Sequence, residues 1–116
     1  MPAEPARLRQ VLYPSDDVER DTRFYAEALG LEPMVVDGSR FALLDSDGHR
    51  LALANPTEAV AGSTPAAVFA VGDVDSVVAG VVVSGGTVVA PPHDGPHERR
   101  AVLADPTGNQ FIVYSR

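Results

Sequence analysis

An internal repeat constrains this chain more than any other feature. Residues 101–115 read AVLADPTGNQFIVYS: a short apolar run, a turn, and a second strand over 110–114. The turn Asp105-Pro106-Thr107-Gly108-Asn109 has a local cause. Pro106 presets φ, Gly108 allows positive φ, and Asp105 and Asn109 can bond the nearby backbone. Sixty positions earlier, residues 41–54 (FALLDSDGHRLALA) repeat it without a gap. Asp45 matches Asp105, Gly48 matches Gly108, Leu51 matches Phe111 and Leu53 matches Val113. A second match at an offset of 56 joins Asp17-Val18 and Gly30 to Asp73-Val74 and Gly86. The four-residue difference is expected in the loop around 91–99. The chain is therefore two copies of one module, and the fold has to be built from that unit twice.

Within the first copy, residues 6–13 read as a strand ended by Pro14. Ser15-Asp16-Asp17 offer capping side chains for a helix that runs to Leu29 and stops at Gly30. Val18, Tyr25, Ala28 and Leu29 fall near one face of it, and Phe24-Tyr25 read as helix-to-sheet packing. Strands are expected at 33–37, 40–44 and 50–54, giving the order β-α-β-β-β. Asn55 to Pro65 (NPTEAVAGSTP) has linker composition. The second copy repeats the order, with strands at 66–71, 87–90, 99–104 and 110–114. Its helix opens at Asp73 and is rich in valine, a poor helix former alone; the clearer helix of the first copy supports the assignment. The expected organisation is one domain over 1–116, made of modules 6–55 and 66–115 joined by the linker 56–65.

Composition excludes several classes. The 116 residues carry nine Lys plus Arg, all of them arginine, against 16 acids, for a net charge of −7. A nucleic-acid partner wants a basic face, so none is expected. No apolar run approaches the about 18 residues of a helical membrane span, so no membrane partner is expected. MPAEPARLRQ lacks a signal-peptide core, and cysteine is absent, which removes disulfides and thiol chemistry. A soluble, cytoplasmic protein is the expectation. No Ser-His-Asp set, phosphate loop or nucleotide motif is present.

Strand alternation assigns side chains to faces. The larger apolar residues Leu51, Leu53, Phe111 and Val113 are placed under the helices. The other parity then faces a shared concave space between curved sheets. It brings Arg50, Ala52 and Ala54 together with Gln110, Ile112 and Tyr114, and from the leading strands Gln10, Leu12, Ala66 and Val68. Tyr114 and Gln10 are the polar candidates in an otherwise apolar wall. Arg50 and Gln110 are expected near the rim. His93, Asp94, His97 and Glu98 share the longer loop, which gives them no fixed common face; His97 is kept as a candidate ligand contact, and His49 as an exposed residue. Asp17 and Asp73 are helix caps. No residue is assigned a catalytic role.

These residues resemble a known superfamily. Gln10, Asp17-Val18, Phe24-Tyr25 and Gly30-Leu31 look like the opening module of vicinal oxygen chelate proteins. Asp73-Val74-Asp75, Gly85-Gly86, Pro91-Pro92 and Asp105-Pro106 with Gly108-Asn109 match the closing module. That group includes glyoxalase I, extradiol dioxygenases, and fosfomycin- and bleomycin-resistance proteins. The resemblance implies an α+β fold of two β-α-β-β-β modules with mixed sheets around a concavity, helices outside, and a homodimer. In the metal enzymes of the superfamily, four positions ligate one divalent ion. Here the motif places them at Gln10, Ala52, Ala66 and Ile112. Only Gln10 has a side-chain donor, and one neutral amide does not hold such an ion. No metal and no cofactor are therefore expected. The function implied is metal-free binding of a small hydrophobic or aromatic molecule, as in antibiotic sequestration. The alternative is a glyoxalase- or dioxygenase-like lyase, isomerase or oxygenase with an absent or non-standard metal site.

Overall fold

A computed structural model describes residues 4–116; Met1, Pro2 and Ala3, the start of the stretch read above for a signal core, lie outside the described residues. Ten elements follow in the order β1 (Arg7–Pro14), α1 (Val18–Leu29), β2 (Glu32–Asp37), β3 (Phe41–Ser46), β4 (His49–Ala54), β5 (Ala66–Ala70), α2 (Val74–Val83), β6 (Thr87–Asp94), β7 (Arg99–Ala104) and β8 (Gln110–Ser115). This is β-α-β-β-β twice, in the α+β class the repeat requires. Backbone contacts divide the chain into two compact units, residues 10–65 and residues 4–9 with 66–116. The 55–65 stretch is a run of tight turns rather than a loose tether. Its Asn55 carbonyl accepts from the Glu58 and Ala59 amides, and Ala59 and Ala61 are buried.

In the first unit the strands lie in the order β2-β3-β4-β1. β2, β3 and β4 are antiparallel neighbours, and β1 runs parallel to β4. Helix α1 begins where Asp17 accepts from the Arg20 amide at 3.0 Å, satisfying one of the orphan amides of a first turn. It ends at Gly30, whose φ of 73° only glycine adopts without strain. Val18 packs on Ala42, Leu44 and Leu53, with Tyr25 and Leu31 against that cluster. The helix face differs from the sequence reading in two respects. Thr22, not Ala28, joins the buried stripe, and Leu29 is 68% exposed. Leu29 sits one turn beyond Tyr25, the last helical residue packed on the core. Phe24 is exposed as well, touching Tyr25 edge-to-face at 5.2 Å.

In the second unit the order is β5-β8-β7-β6, with β5 parallel to β8 and the remaining neighbours antiparallel. Asp73 caps α2 through the Asp75 and Ser76 amides at 3.1 and 3.4 Å. Its valines form a helix because Val74, Val77, Val78 and Val81 pack on Ala101, Leu103 and Val113; tertiary burial outweighs their weak propensity. The expected 91–99 loop is smaller than read. β6 continues through Pro91, Pro92, His93 and Asp94, and His93 and Asp94 pair with Arg100 and Arg99. The prolines are tolerated because β6 ends the strand order and its register breaks between Ala90 and His93.

The two modules correspond less simply than an ungapped match suggests. Pro33 pairs with Leu44 and Val88 with Leu103. Leu44 pairs with Leu51, but Leu103 pairs with Phe111. The strand preceding each final turn is therefore offset by 59 and the strand following it by 60. Leu44 corresponds to Leu103, and not to Ala104. In the first turn Asp45 and Arg50 enclose four residues, tightened at Asp47-Gly48 with φ of 53° and 87°, whereas the corresponding Ala104 and Gln110 enclose five. Upstream, Gly85 rather than Gly86 is the left-handed counterpart of Gly30. The span from capping aspartate to left-handed glycine is one residue shorter in the second module (Asp73 to Gly85 against Asp17 to Gly30) and the final turn is one residue longer, so the two cancel in the count. The four-residue difference itself does fall in the β6–β7 hairpin.

The second turn is held by one carboxylate. Asp105 accepts the amides of Thr107, Gly108 and Asn109 at 3.0, 2.9 and 2.9 Å and the Asn109 side-chain amide at 3.0 Å. The Asn109 side chain first, then the backbone amides, hold its pKa below the ordinary 3.8. Because the folded value is lowered, the stabilisation is fully present above pH 3.8 and is lost as pH falls through the folded value. Asp105→Ala is expected to melt at lower temperature than wild type near neutral pH. The gap should narrow as the pH is taken well below 3.8. Thermal melts across that range measure it, and a gap independent of pH would refute it.

Candidate functional site

The helix-free face of each sheet is where the expected site residues fall. In the first unit, Val18 takes the face that carries Ala42, Leu44 and Leu53. The alternate residues Leu12, Ala52 and Ala54 therefore point the other way, with Leu12 beside Ala52 and Pro14 beside Ala54 across the parallel pair. Leu43 and Phe41 flank Ala52 and Ala54 from β3. Ala52 and Ala54 are 0% exposed and Leu12 is buried. Gln10 precedes them on β1, half-buried. Arg50 has its Nε 3.7 Å from Asp45 Oδ1, its neighbour across the hairpin. That nitrogen is buried and has no hydrogen-bond partner among the described residues.

In the second unit, α2 covers Ala101, Leu103, Phe111 and Val113. The opposite parity carries Ala66 and Val68 on β5 and Ile112 and Tyr114 on β8, with Val68 paired to Ile112 and Ala70 to Tyr114. Ala66, Val68 and Ile112 are buried and Tyr114 is half-buried. Gln110 and Arg100 share this face, since Ala104 pairs with Gln110, Val102 with Ile112 and Arg100 with Tyr114. Arg100 Nε and Gln110 Oε1 are both buried without a partner. Sequence reasoning passed over Arg100. Its signal was available in the alternation: Arg100 stands two residues before Val102 on a strand whose even positions face Ile112.

The loop set behaves differently. Asp94 is tied to Arg99 at 3.2 Å, and Arg99 holds Asp75 with two bonds of 2.8 and 3.0 Å. His93 Nδ1 lies 3.4 Å from the Pro91 carbonyl. His97 is exposed in the turn closed by the Gly95 amide on the Glu98 carbonyl, beyond the last paired residues of β7 and β8. Among the described residues, no group of three or more His, Asp or Glu side chains is placed to hold a metal ion. The positions that the superfamily's metal enzymes use carry Ala52, Ala66 and Ile112, which have no side-chain donor, beside Gln10. The donor set does not fit a divalent ion.

Residues 10–114 match the glyoxalase-like domain family. The chain belongs to that family. Membership places it in the vicinal oxygen chelate superfamily, as the paired motifs imply. A protein of Mycolicibacterium smegmatis described as uncharacterized is 33% identical over 108 residues, spanning 93% of this chain and 92% of its own length. Among solved structures, a glyoxalase/bleomycin resistance protein/dioxygenase superfamily member from Vibrio splendidus superposes with a TM-score of 0.73. It is 17% identical, over 97% of this chain and all of that one. Methylmalonyl-CoA epimerase from Mycobacterium tuberculosis superposes with a TM-score of 0.66 at 19% identity, over 99% of this chain and 92% of that one. At such identities the likeness is one of fold, and the glyoxalase-like fold hosts both named enzymes and members without assigned chemistry. Among the described residues, no helix is long and apolar enough to cross a membrane.

Proposed function

We propose that this glyoxalase-like protein binds a small hydrophobic or aromatic molecule without a metal ion, on the helix-free sheet face. The observation that carries the reading is the pair of buried, unpartnered polar atoms Arg100 Nε and Gln110 Oε1 in a face otherwise built of Ala66, Val68 and Ile112. Buried polar atoms are usually satisfied, and a ligand on this face can satisfy these two. A flat molecule would bury apolar area there, offering an acceptor to Arg100 at one end of the paired strands or a donor to Gln110 at the other. Tyr114 adds a hydroxyl on the same face. In the first unit Gln10, Leu12, Arg50, Ala52 and Ala54 form the equivalent surface, again with an orphaned guanidinium nitrogen. Sequestration of an antibiotic in the cytoplasm is the use this chemistry suits, with His97 as a contact from the turn.

The partner set includes a second copy of the chain. Every residue of β2 is exposed at the end of its sheet, with Met34, Val35 and Val36 among them; a bare apolar edge invites pairing. Calorimetry with a panel of aromatic and hydrophobic compounds, in the presence of a chelator, tests the ligand reading. At least one compound should bind saturably, and Arg100→Leu should weaken it about tenfold, the value of one hydrogen bond to a charged group. Binding or turnover that requires an added divalent ion would instead support the enzyme alternative.

A further inference from the structure

The nine arginines are distributed unevenly. Arg20, Arg40, Arg50 and Arg99 stand against Asp16, Asp21, Asp37, Asp45, Asp75 and Asp94. Among the described residues, the other five, Arg7, Arg9, Arg23, Arg100 and Arg116, have no carboxylate within 4.0 Å, and three of them, Arg7, Arg9 and Arg116, stand together. These three exposed side chains border one open surface cavity of about 290 Å³, together with Ala70, Val71, Tyr114 and Ser115. All of them belong to a single compact unit. The Arg116 guanidinium sits over the Tyr114 ring, 5.7 Å from its centre, a cation–π distance that fixes the side chain beside the phenol.

Three guanidiniums around one cavity repel each other, and arginine does not relieve repulsion by losing its proton. A chain with a net charge of −7 has acids enough to neutralise them, yet among the described residues none pairs with these three. We propose that this cavity binds the phosphate group of a small phosphorylated molecule. A phosphate monoester carries about −1.5 to −2 charges at neutral pH. Its oxygens suit the planar fork of arginine, which donates two parallel bonds. The Tyr114 hydroxyl can donate a further one. The volume stands at the low end of the roughly 300–1,000 Å³ of small-molecule pockets. A nucleic-acid strand is disfavoured by the acidity of the rest of the chain. The site shares only Tyr114 with the face proposed above and does not depend on that reading.

Calorimetric titration of the full-length protein with inorganic pyrophosphate, at about 50 mM salt, tests the proposal. One saturable site per chain is expected, weakened when salt is raised to about 150 mM. Arg7→Gln and Arg9→Gln should each lower affinity about tenfold, as should Arg116→Gln, which is exposed and outside β8 and serves if either strand variant misfolds. Arg23→Gln, an exposed arginine on α1, should bind like wild type. Absence of saturable binding overturns the proposal, and so does equal weakening by Arg23→Gln. Citrate bound as tightly as pyrophosphate overturns the assignment to phosphate.

Discussion

Leu44→Ala and Leu103→Ala should each cost about 3 kcal/mol of folding stability, with Leu29→Ala within about 0.5 kcal/mol of wild type. Leu44 and Leu103 are fully buried and hold corresponding places in their clusters, Leu44 with Val18, Ala42 and Leu53, Leu103 with Val74, Ala101 and Val113. Truncation forfeits the transfer of the removed atoms and leaves a cavity that packed neighbours fill only in part. In a domain whose whole stability is about 5–15 kcal/mol, that is a large share. Leu29 shares the helical stripe in sequence but is mostly solvated, so its loss removes little. Urea denaturation of the three variants decides the matter. Small effects at both would mean that neither cluster is tightly packed, and a large effect at one with a small effect at the other would mean the modules do not correspond at an offset of 59.

Gly86→Ala is expected to cost about 3 kcal/mol, although it adds one methyl group. A Cβ at Gly86 would stand 2.5 Å from Val81 Cγ1, 2.7 Å from the Ala104 carbonyl oxygen and 3.3 Å from the Val81 carbonyl oxygen. The valine side chain can turn aside. The Ala104 carbonyl cannot, because it belongs to β7, where Ala104 pairs with both Thr87 and Gln110. Adding Val81→Ala to the Gly86→Ala chain should therefore recover only part of the loss. Full recovery would show that the contact with the valine methyl, and not the approach of two backbones, fixes glycine here. A cost below about 0.5 kcal/mol for Gly86→Ala alone would show that the helix end and β7 are not held this close.

Much of this architecture was legible because its causes are local. Asp17 and Asp73 cap helices by reaching amides two or three residues ahead, and strand alternation separates Leu53 and Val113 from Ala52 and Ile112 without any tertiary knowledge. What stayed hidden depended on distant partners. Leu29 looks like a core residue by spacing but lies one turn beyond Tyr25, the last helical residue packed on the sheet, and Phe24, apolar by type, stands off that stripe in solvent. Pro91 and Pro92 look like loop residues, and only an edge position with a broken register lets a strand contain them. A shorter helix and a longer turn in the second module compensate in residue count, so an ungapped match runs through both and misplaces Leu44 by one residue, which is the whole difference between two faces of a strand. Arg7 and Arg9 share a face of β1 by alternation, but Arg116 is distant in sequence, and nothing in its position says that it joins their wall.

Native mass spectrometry of the protein purified from its own source tests the functional reading most directly, because one spectrum reports chain count, metal and ligand together. Two chains carrying a retained small organic molecule, with no transition metal, is the expected result. Near-stoichiometric zinc, nickel, iron or manganese that survives dialysis would contradict it.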